Sequence, residues 1–488
     1  MRKRLESIKE NWLFWAVGFL LFFIPLYPKF PLLGVPDTYV SVRLEDLLVA
    51  LIVGLFGLRW LRKKDFSLLK DPLVQLLALY FGIGLLSVAS AVFITKNIVP
   101  HLALLHFLRR VEYISLLFVA YFSFKNLKQL KTYGWILGIS SLGVVIYGLG
   151  QKFLGWPVVS TMNKEFSKGM ILQLTWWARV NSTFAGHYDL AAYMAMMLPL
   201  TVAALIMAKT KRQKFFLVIL AVLCYYILLL TASRISFFAY LVGVSFVLLL
   251  SRKFWWIGPF LALSILGMVF SSELGQRYAA TFKINLSFLS GLVKSEPKKI
   301  AVLPLPTPTP ILPVVTTPVS GRPSTRLKLI SPTPTPTPEP ESATGSAFPE
   351  PEGVVAATGR STDIRLKVEW PRALRAFAKN PFLGTGYSSI SLATDNDYLR
   401  ILGEVGLWGA LAFLAVFLEI LRRVEKFLTR KNISREEYLL VLGIAGAAIS
   451  FFLNAAFIDV FEASKIAFFF WILIGIALRV MDLSKTKD

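Results

Sequence analysis

The chain is short of the residues from which most soluble enzymes build their centres. One cysteine, Cys224, and three histidines stand among 488 residues. A single cysteine closes no internal disulfide, so no disulfide framework holds any loop. Cys224 lies within an apolar stretch and reads as a small buried hydrophobe. Three histidines cannot furnish a His-rich metal centre, and there is no zinc-ligand spacing, Walker loop or dinucleotide fingerprint. A divalent ion between Asp395 and Asp397 is a minor alternative; no metal and no cofactor are expected. Acidic residues are scarce too, at 29 Asp and Glu against 53 Lys and Arg, a net charge of +24. In a soluble chain that excess would suggest nucleic acid, but here its placement speaks against such a partner.

What the chain has is apolar sequence, with 55% hydrophobic residues. A helix rising about 1.5 Å per residue needs about 20 apolar residues to cross about 30 Å of hydrocarbon. Twelve stretches approach that length: 12–28, 42–61, 72–95, 104–124, 130–150, 187–208, 214–232, 234–251, 254–271, 398–421, 437–458 and 464–481. The fold expected is therefore an all-α polytopic membrane protein. It has about 12 transmembrane helices and one large extracytoplasmic loop before the tenth. No small-residue cleavage site follows Arg2-Lys3-Arg4 and the first apolar run, which is expected to be retained as a helix.

Basic clusters fall at alternate turns: Arg2/Lys3/Arg4/Lys9, Arg59/Arg62/Lys63/Lys64, Lys125/Lys128/Lys131, Lys209/Lys211/Arg212/Lys214, Arg252/Lys253, Arg422/Arg423/Lys426/Arg430/Lys431 and Arg479/Lys485. The positive-inside rule then puts both termini in the cytoplasm and the long loop outside. The organisation expected is a nine-helix region at 1–271 with a short outer loop at 151–186. An extracytoplasmic segment at 272–397 and three C-terminal helices at 398–488 follow.

The long loop is uneven. Its Pro/Thr-rich part, about 300–355, includes Ser331-Pro-Thr-Pro-Thr-Pro-Thr-Pro338. Such sequence favours extended polyproline II and reads as a semi-rigid spacer, or as an insertion tolerated at a loop tip. Order is expected to return at about 361–379 as an amphipathic helix capped by Ser361 or Thr362. Ile364, Val368, Pro371, Leu374 and Phe377 would form its apolar stripe, Pro371 would kink it, and Arg365, Arg372, Arg375 and Lys379 would project elsewhere. The shorter outer loop ends near Trp176-Trp177, a pair suited to the membrane interface.

Charged groups near helix mouths carry the functional reading, because ionised side chains in a membrane are costly and usually serve a purpose. Arg109, Arg110, Arg179, Arg234 and Arg365 are expected on one side of the membrane. Guanidinium forks bind phosphate oxygens in pairs, so an outward pocket with several arginines suits a lipid diphosphate. Snorkelling, or pairing of Arg109 or Arg110 with Glu112, is the plainer alternative. Asp395, Asn396 and Asp397 mark the mouth of the tenth span, as helix caps or as a general base facing a sugar hydroxyl. Glu404 lies two turns further in and requires a hydrogen bond or a polar cavity. His187 and Asp189 occupy the mouth of the sixth span.

Four stretches in order resemble the O-antigen ligase/O-antigen polymerase superfamily of bacterial membrane glycosyltransferases. They are Arg179 through Tyr193, Leu230-Thr-Ala-Ser-Arg-Ile-Ser236, Arg365 through Trp370 with Asn380-Pro-Phe-Leu-Gly-Thr-Gly386, and Asp395-Asn-Asp-Tyr-Leu399 with Glu404 through Gly409. The resemblance implies a glycan carried on undecaprenyl diphosphate. It moves to a lipid, glycan or protein acceptor hydroxyl on the outer face of the inner (plasma) membrane, without metal or nucleotide sugar. It also implies that Arg234 and Arg365 hold the diphosphate and that Asp395 is the base. Arg179, Arg109, Arg110, His187, Asp189, Asn396, Tyr398 and Glu404 would line the substrate. Ligases acting on lipopolysaccharide core usually carry His where this chain has Asp395, a departure that bears on the acceptor. Polymerisation and ligation both stay open. A flippase or transporter of lipid-linked glycan is a rival that would call for internal repeats and midplane charges, neither of which is evident. A non-catalytic wall-assembly scaffold is another.

Overall fold

A computed structural model describes residues 11–38, 41–64, 67–96, 98–161, 169–175, 178–271, 274, 364–390 and 393–485. The Pro/Thr spacer, the expected cap at Ser361 or Thr362 and the Trp176-Trp177 pair lie outside them. The described chain is mainly helical. Its first nine helices are α1 (Trp12–Leu26), α2 (Leu44–Lys63), α3 (Pro72–Ser90), α4 (Pro100–Tyr121), α5 (Leu130–Phe153), α6 (His187–Met207), α7 (Lys211–Leu230), α8 (Arg234–Leu250) and α9 (Ile257–Phe270). Then come α10 (Trp370–Lys379), α11 (Asp397–Leu428), α12 (Arg435–Ala455) and α13 (Ser464–Lys485). Two short strands, β1 (Val158–Val159) and β2 (Ile171–Leu172), pair antiparallel between α5 and α6.

Each of the twelve apolar stretches is helical, yet among the described residues seven helices qualify by length and hydropathy as membrane-crossing: α3, α5, α6, α7, α11, α12 and α13. α1, α8 and α9 are apolar but shorter. At 15 residues, α1 reaches only about 22 Å. α4 carries Arg109, Arg110 and Glu112 in its middle, and α2 opens with Glu45 and Asp46.

Local chemistry fixes several helix starts. The Asp71 carboxylate accepts the Leu73 N–H at 2.7 Å, with Pro72 at the first helical position of α3. Thr210, Ser233, Asn396 and Ser434 cap α7, α8, α11 and α12 through side-chain oxygens.

α13 runs through the centre, buried along almost its whole length, and packs chiefly on α4. α12 is clasped by α6 and α8, while α11 packs on α3 and α10. Backbones approach closely where side chains are small, as where Gly475 of α13 meets the Leu117 carbonyl of α4 and Gly243 of α8 meets Gly446 of α12. Without a hydrophobic drive between helices in lipid, such close contact supplies the packing energy.

One helix is broken. Gly406 inside α11 has φ 66°, and the turn at residues 380–386 enters the gap. Thr385 and Gly386 N–H groups donate to the Gly403 and Glu404 carbonyls at 3.0 and 2.8 Å. Leu407 and Trp408 N–H groups donate back to the Pro381 and Phe382 carbonyls at 2.8 and 3.2 Å. The backbone groups freed by the break are thus satisfied by the loop. A Cβ on Gly384 or Gly406 would run into the facing backbone, and both have positive φ, so the Gly-Thr-Gly turn is dictated by close approach.

The helix at 364–379 differs from expectation. It begins with a π turn, Arg365–Glu369, and Pro371 is the second residue of α10, directly behind that turn. Its buried face is Arg365, Val368, Arg372, Ala373 and Ala376, whereas Leu366 and Leu374 are exposed. Packing against α11 decides this. Ala373 and Ala376 sit against Gly403, where small residues fit and leucine would not.

Candidate functional site at one end of the bundle

Five polypeptide segments meet where α6, α8 and α11 begin. The 178–186 segment enters α6 and is tied to the end of α7 by the Val180 N–H, which donates to the Leu230 carbonyl. The start of α8 is tied to the end of α12, where Ser236 Oγ donates to Asn454 Oδ1 at 2.6 Å. Arg234 is the first residue of α8. Arg179 Nη1 lies 2.9 Å from His187 Nε2, which joins two expected site residues directly.

At the mouth of α11 the cap is Asn396, whose Oδ1 accepts the Leu399 N–H at 3.0 Å. Asp395 is therefore free of capping duty. It adopts φ 49°, a left-handed conformation that Asp tolerates better than most residues. Its Oδ2 accepts from Arg365 Nε at 2.9 Å and Nη2 at 2.7 Å, leaving Oδ1 outside that pair. Burial holds the Asp395 carboxyl above its ordinary range; Arg365 opposes the shift and Asp459 reinforces it. Burial disfavours the charged form of Arg365, but Asp395, Tyr188 at the start of α6 and Glu369 together more than offset it and hold the guanidinium charged.

Behind Asp395 lies a buried charge network. Arg400 Nη2 meets Asp459 Oδ2 at 3.1 Å, and its Nη1 meets the Ile390 carbonyl at 3.0 Å and Glu404 Oε1 at 3.4 Å. Asp459 also accepts the Thr394 and Asn396 N–H groups at 2.8 and 3.2 Å. The turn between α12 and α13 thereby fixes the segment that carries Asp395. Asp397 Oδ2 accepts the Phe461 N–H at 3.1 Å. Arg110 pairs with Glu462 rather than Glu112, and its Nη1 donates to the Phe461 carbonyl at 2.8 Å. Glu404 finds in Arg400 the partner its burial demands.

Other expected residues lie apart. Arg109 donates to the Tyr113 hydroxyl at 2.9 Å within its own helix. Asp189 pairs at 3.7 Å with buried Lys29, whose ammonium is pushed below its ordinary range by burial and by Arg43. That pair belongs to a neighbouring cluster. There Lys465 donates to the Thr183 carbonyl at 2.9 Å and to Tyr27, holding α13, α1 and the 183 segment together. Tyr398 turns to the side, donating to the Phe452 carbonyl at 2.9 Å, and lines an open apolar groove of about 850 Å³ between α11 and α12.

Sequence reasoning missed Arg400, Asp459, Glu462 and Glu369. Asp459 and Glu462 stood in the short polar gap between two apolar stretches, the same signal that marked Asp395. Glu369 lies within the amphipathic helix expected at 361–379, where the apolar stripe and the basic residues were weighed and the acid was not. Burial, followed by the charges of Asp395 and Asp459, pushes its carboxyl up to about 8.

Residues 219–414 match the family model described as O-antigen ligase, a stretch containing Arg234, Arg365, Asp395 and Glu404. The match supports the O-antigen ligase/polymerase superfamily and a membrane glycosyltransferase-like role in polysaccharide biosynthesis. No curated protein matches the chain.

Proposed function

We propose, from that superfamily match, that this protein transfers an oligosaccharide from undecaprenyl diphosphate to an acceptor hydroxyl on the outer face of the cytoplasmic membrane. Both termini lie in the cytoplasm and the site end of the bundle faces out, as the alternating basic clusters require. The observation that carries the reading is the Arg365–Asp395 pair, a cation and a carboxylate joined at the mouth of α11. One Asp395 oxygen stays outside that pair.

In the proposed reaction the acceptor oxygen bonds to the anomeric carbon as its proton passes to Asp395 Oδ1. The bond from that carbon to the diphosphate oxygen breaks, and the electron pair leaves with the diphosphate. Arg234 and Arg365 stabilise the charge that develops there. Fixed cations aimed at a leaving group act most strongly in the transition state. Asp459 and Arg400 hold Asp395 in place from behind, and Arg179 with His187 closes the α6 side. The acceptor is a lipid, a growing glycan or a protein.

The test is in vitro transfer from an undecaprenyl-diphosphate glycan at equal membrane content. Asp395→Asn should lower turnover by about 10²- to 10⁴-fold while the donor still binds, because an amide accepts no proton. Near-normal turnover would remove Asp395 as the base. Reporter fusions should place residues 300–350 outside and Lys211 and Arg430 inside; a cytoplasmic spacer would overturn the site.

A further inference from the structure

Arg365 and Glu369 begin and end one π turn, whose wide winding sends residues four apart toward nearly the same side. Arg365 gives two N–H groups to Asp395. Glu369 receives no such partner: its Oε2 is buried without a hydrogen bond among the described residues. Charged groups reach Glu369 from three elements: Asp395 before α11, Asp459 in the α12–α13 turn, and Arg365 and Arg372 on its own helix. Arg400 of α11 acts on Asp395, and Tyr188 of α6 on Arg365. The Trp370 ring, 6.2 Å from that of Phe457, keeps the α12–α13 turn against this helix. The cluster thus sets two carboxyl groups, those of Asp395 and Glu369, beside Arg365, which is committed to Asp395.

We propose that Glu369 sets the charge of the donor subsite. As a neutral acid it leaves Arg365 available to an incoming diphosphate; as a carboxylate it competes with the diphosphate for that cation. This rests on the reading of the donor as a polyprenyl diphosphate. Glu369 acts through Arg365 and is a positioning residue, taking no proton from the acceptor. Its ionisation near pH 8 would place the switch just above neutrality, with burial as the leading cause.

The experiment measures binding of undecaprenyl diphosphate to the purified full-length protein in nanodiscs from pH 6.5 to 9.5. Wild type, Glu369→Gln and Glu369→Asp are compared, so that ionisation of the ligand itself is common to all. Relative to Glu369→Gln, wild type should lose about tenfold in affinity as pH rises through 8, the change that one unit of pKa coupling gives. Glu369→Asp should keep an alkaline loss. Parallel curves for wild type and Glu369→Gln would overturn the proposal, as would Glu369→Gln failing to bind at every pH. If wild type binds at no pH, the donor reading itself falls and this proposal with it.

Discussion

The two ends of α11 both join arginine to carboxylate, and they do it differently. At the far end Glu419 accepts from Arg422 at 2.7 and 2.8 Å and from Arg423 at 2.8 Å. Arg423 also grips Asp71, the cap of α3, at 2.6 and 3.0 Å. Both carboxylate groups there are met, and the result is a clamp between two helices. At the site end one oxygen each of Asp397 and Glu369 is buried without a hydrogen bond among the described residues. Leaving buried polar groups unmet costs about 1–3 kcal/mol each, a cost a purely structural network would avoid. Matched charge fastens the far end, whereas the site end keeps buried carboxylate oxygens that no donor meets among the described residues.

The largest expected effect breaks that contrast at the site. Arg365→Lys should lower transfer by at least about tenfold, because an ammonium cannot serve Asp395 and a phosphate with one planar fork. Arg423→Lys at the far end should leave transfer within about twofold of wild type. Equal losses in the two variants, measured in one transfer assay, would erase the distinction between the ends.

Stability should respond next. Arg400→Met removes the cation shared by Asp459 and Glu404 and should destabilise by about 3–5 kcal/mol, as when one partner of a buried pair is lost. Thermal unfolding in detergent would read this, and an unchanged midpoint would mean water or rearrangement compensates. Gly406→Ala should cost about 1–3 kcal/mol through its positive φ and the facing Phe382 carbonyl.

A smaller effect concerns Glu369. Its folded carboxyl is raised to about 8, whereas an unfolded Glu titrates at about 4.3. Its contribution to stability is thus fully present below about pH 4 and lost as pH rises through 8. Glu369→Gln should therefore gain thermal stability relative to wild type at pH 9 but not at pH 5. Least of all, deleting residues 300–350 should leave transfer measurable, since extended Pro/Thr sequence offers no preorganised surface.

Much of the helical layout was legible because lipid forces long apolar runs into helices, whatever they pack against. Asp395 was legible as a polar group beside such a run and Arg365 through the resemblance, although their partnership was not, being 30 residues apart across a turn. Arg400 with Asp459 escaped notice for the same reason at a separation of 59. The buried face of the 364–379 helix was misread because periodicity counts apolar residues, while packing on Gly403 selected alanines, and Arg365 and Arg372 are buried on the same face.

The break at Gly406 also bears on how α11 enters the bilayer. Counted whole, the helix has 32 residues, about 48 Å, too long for about 30 Å of hydrocarbon. Residues 407–428 alone span about 33 Å, so the insertion machinery meets one crossing segment free of Arg400 and Glu404. Those two charges ride on a separate short piece, held by the 380–386 turn from chain close by in sequence. The break thus separates both charges from the long apolar segment, so that a crossing of ordinary length need not carry them.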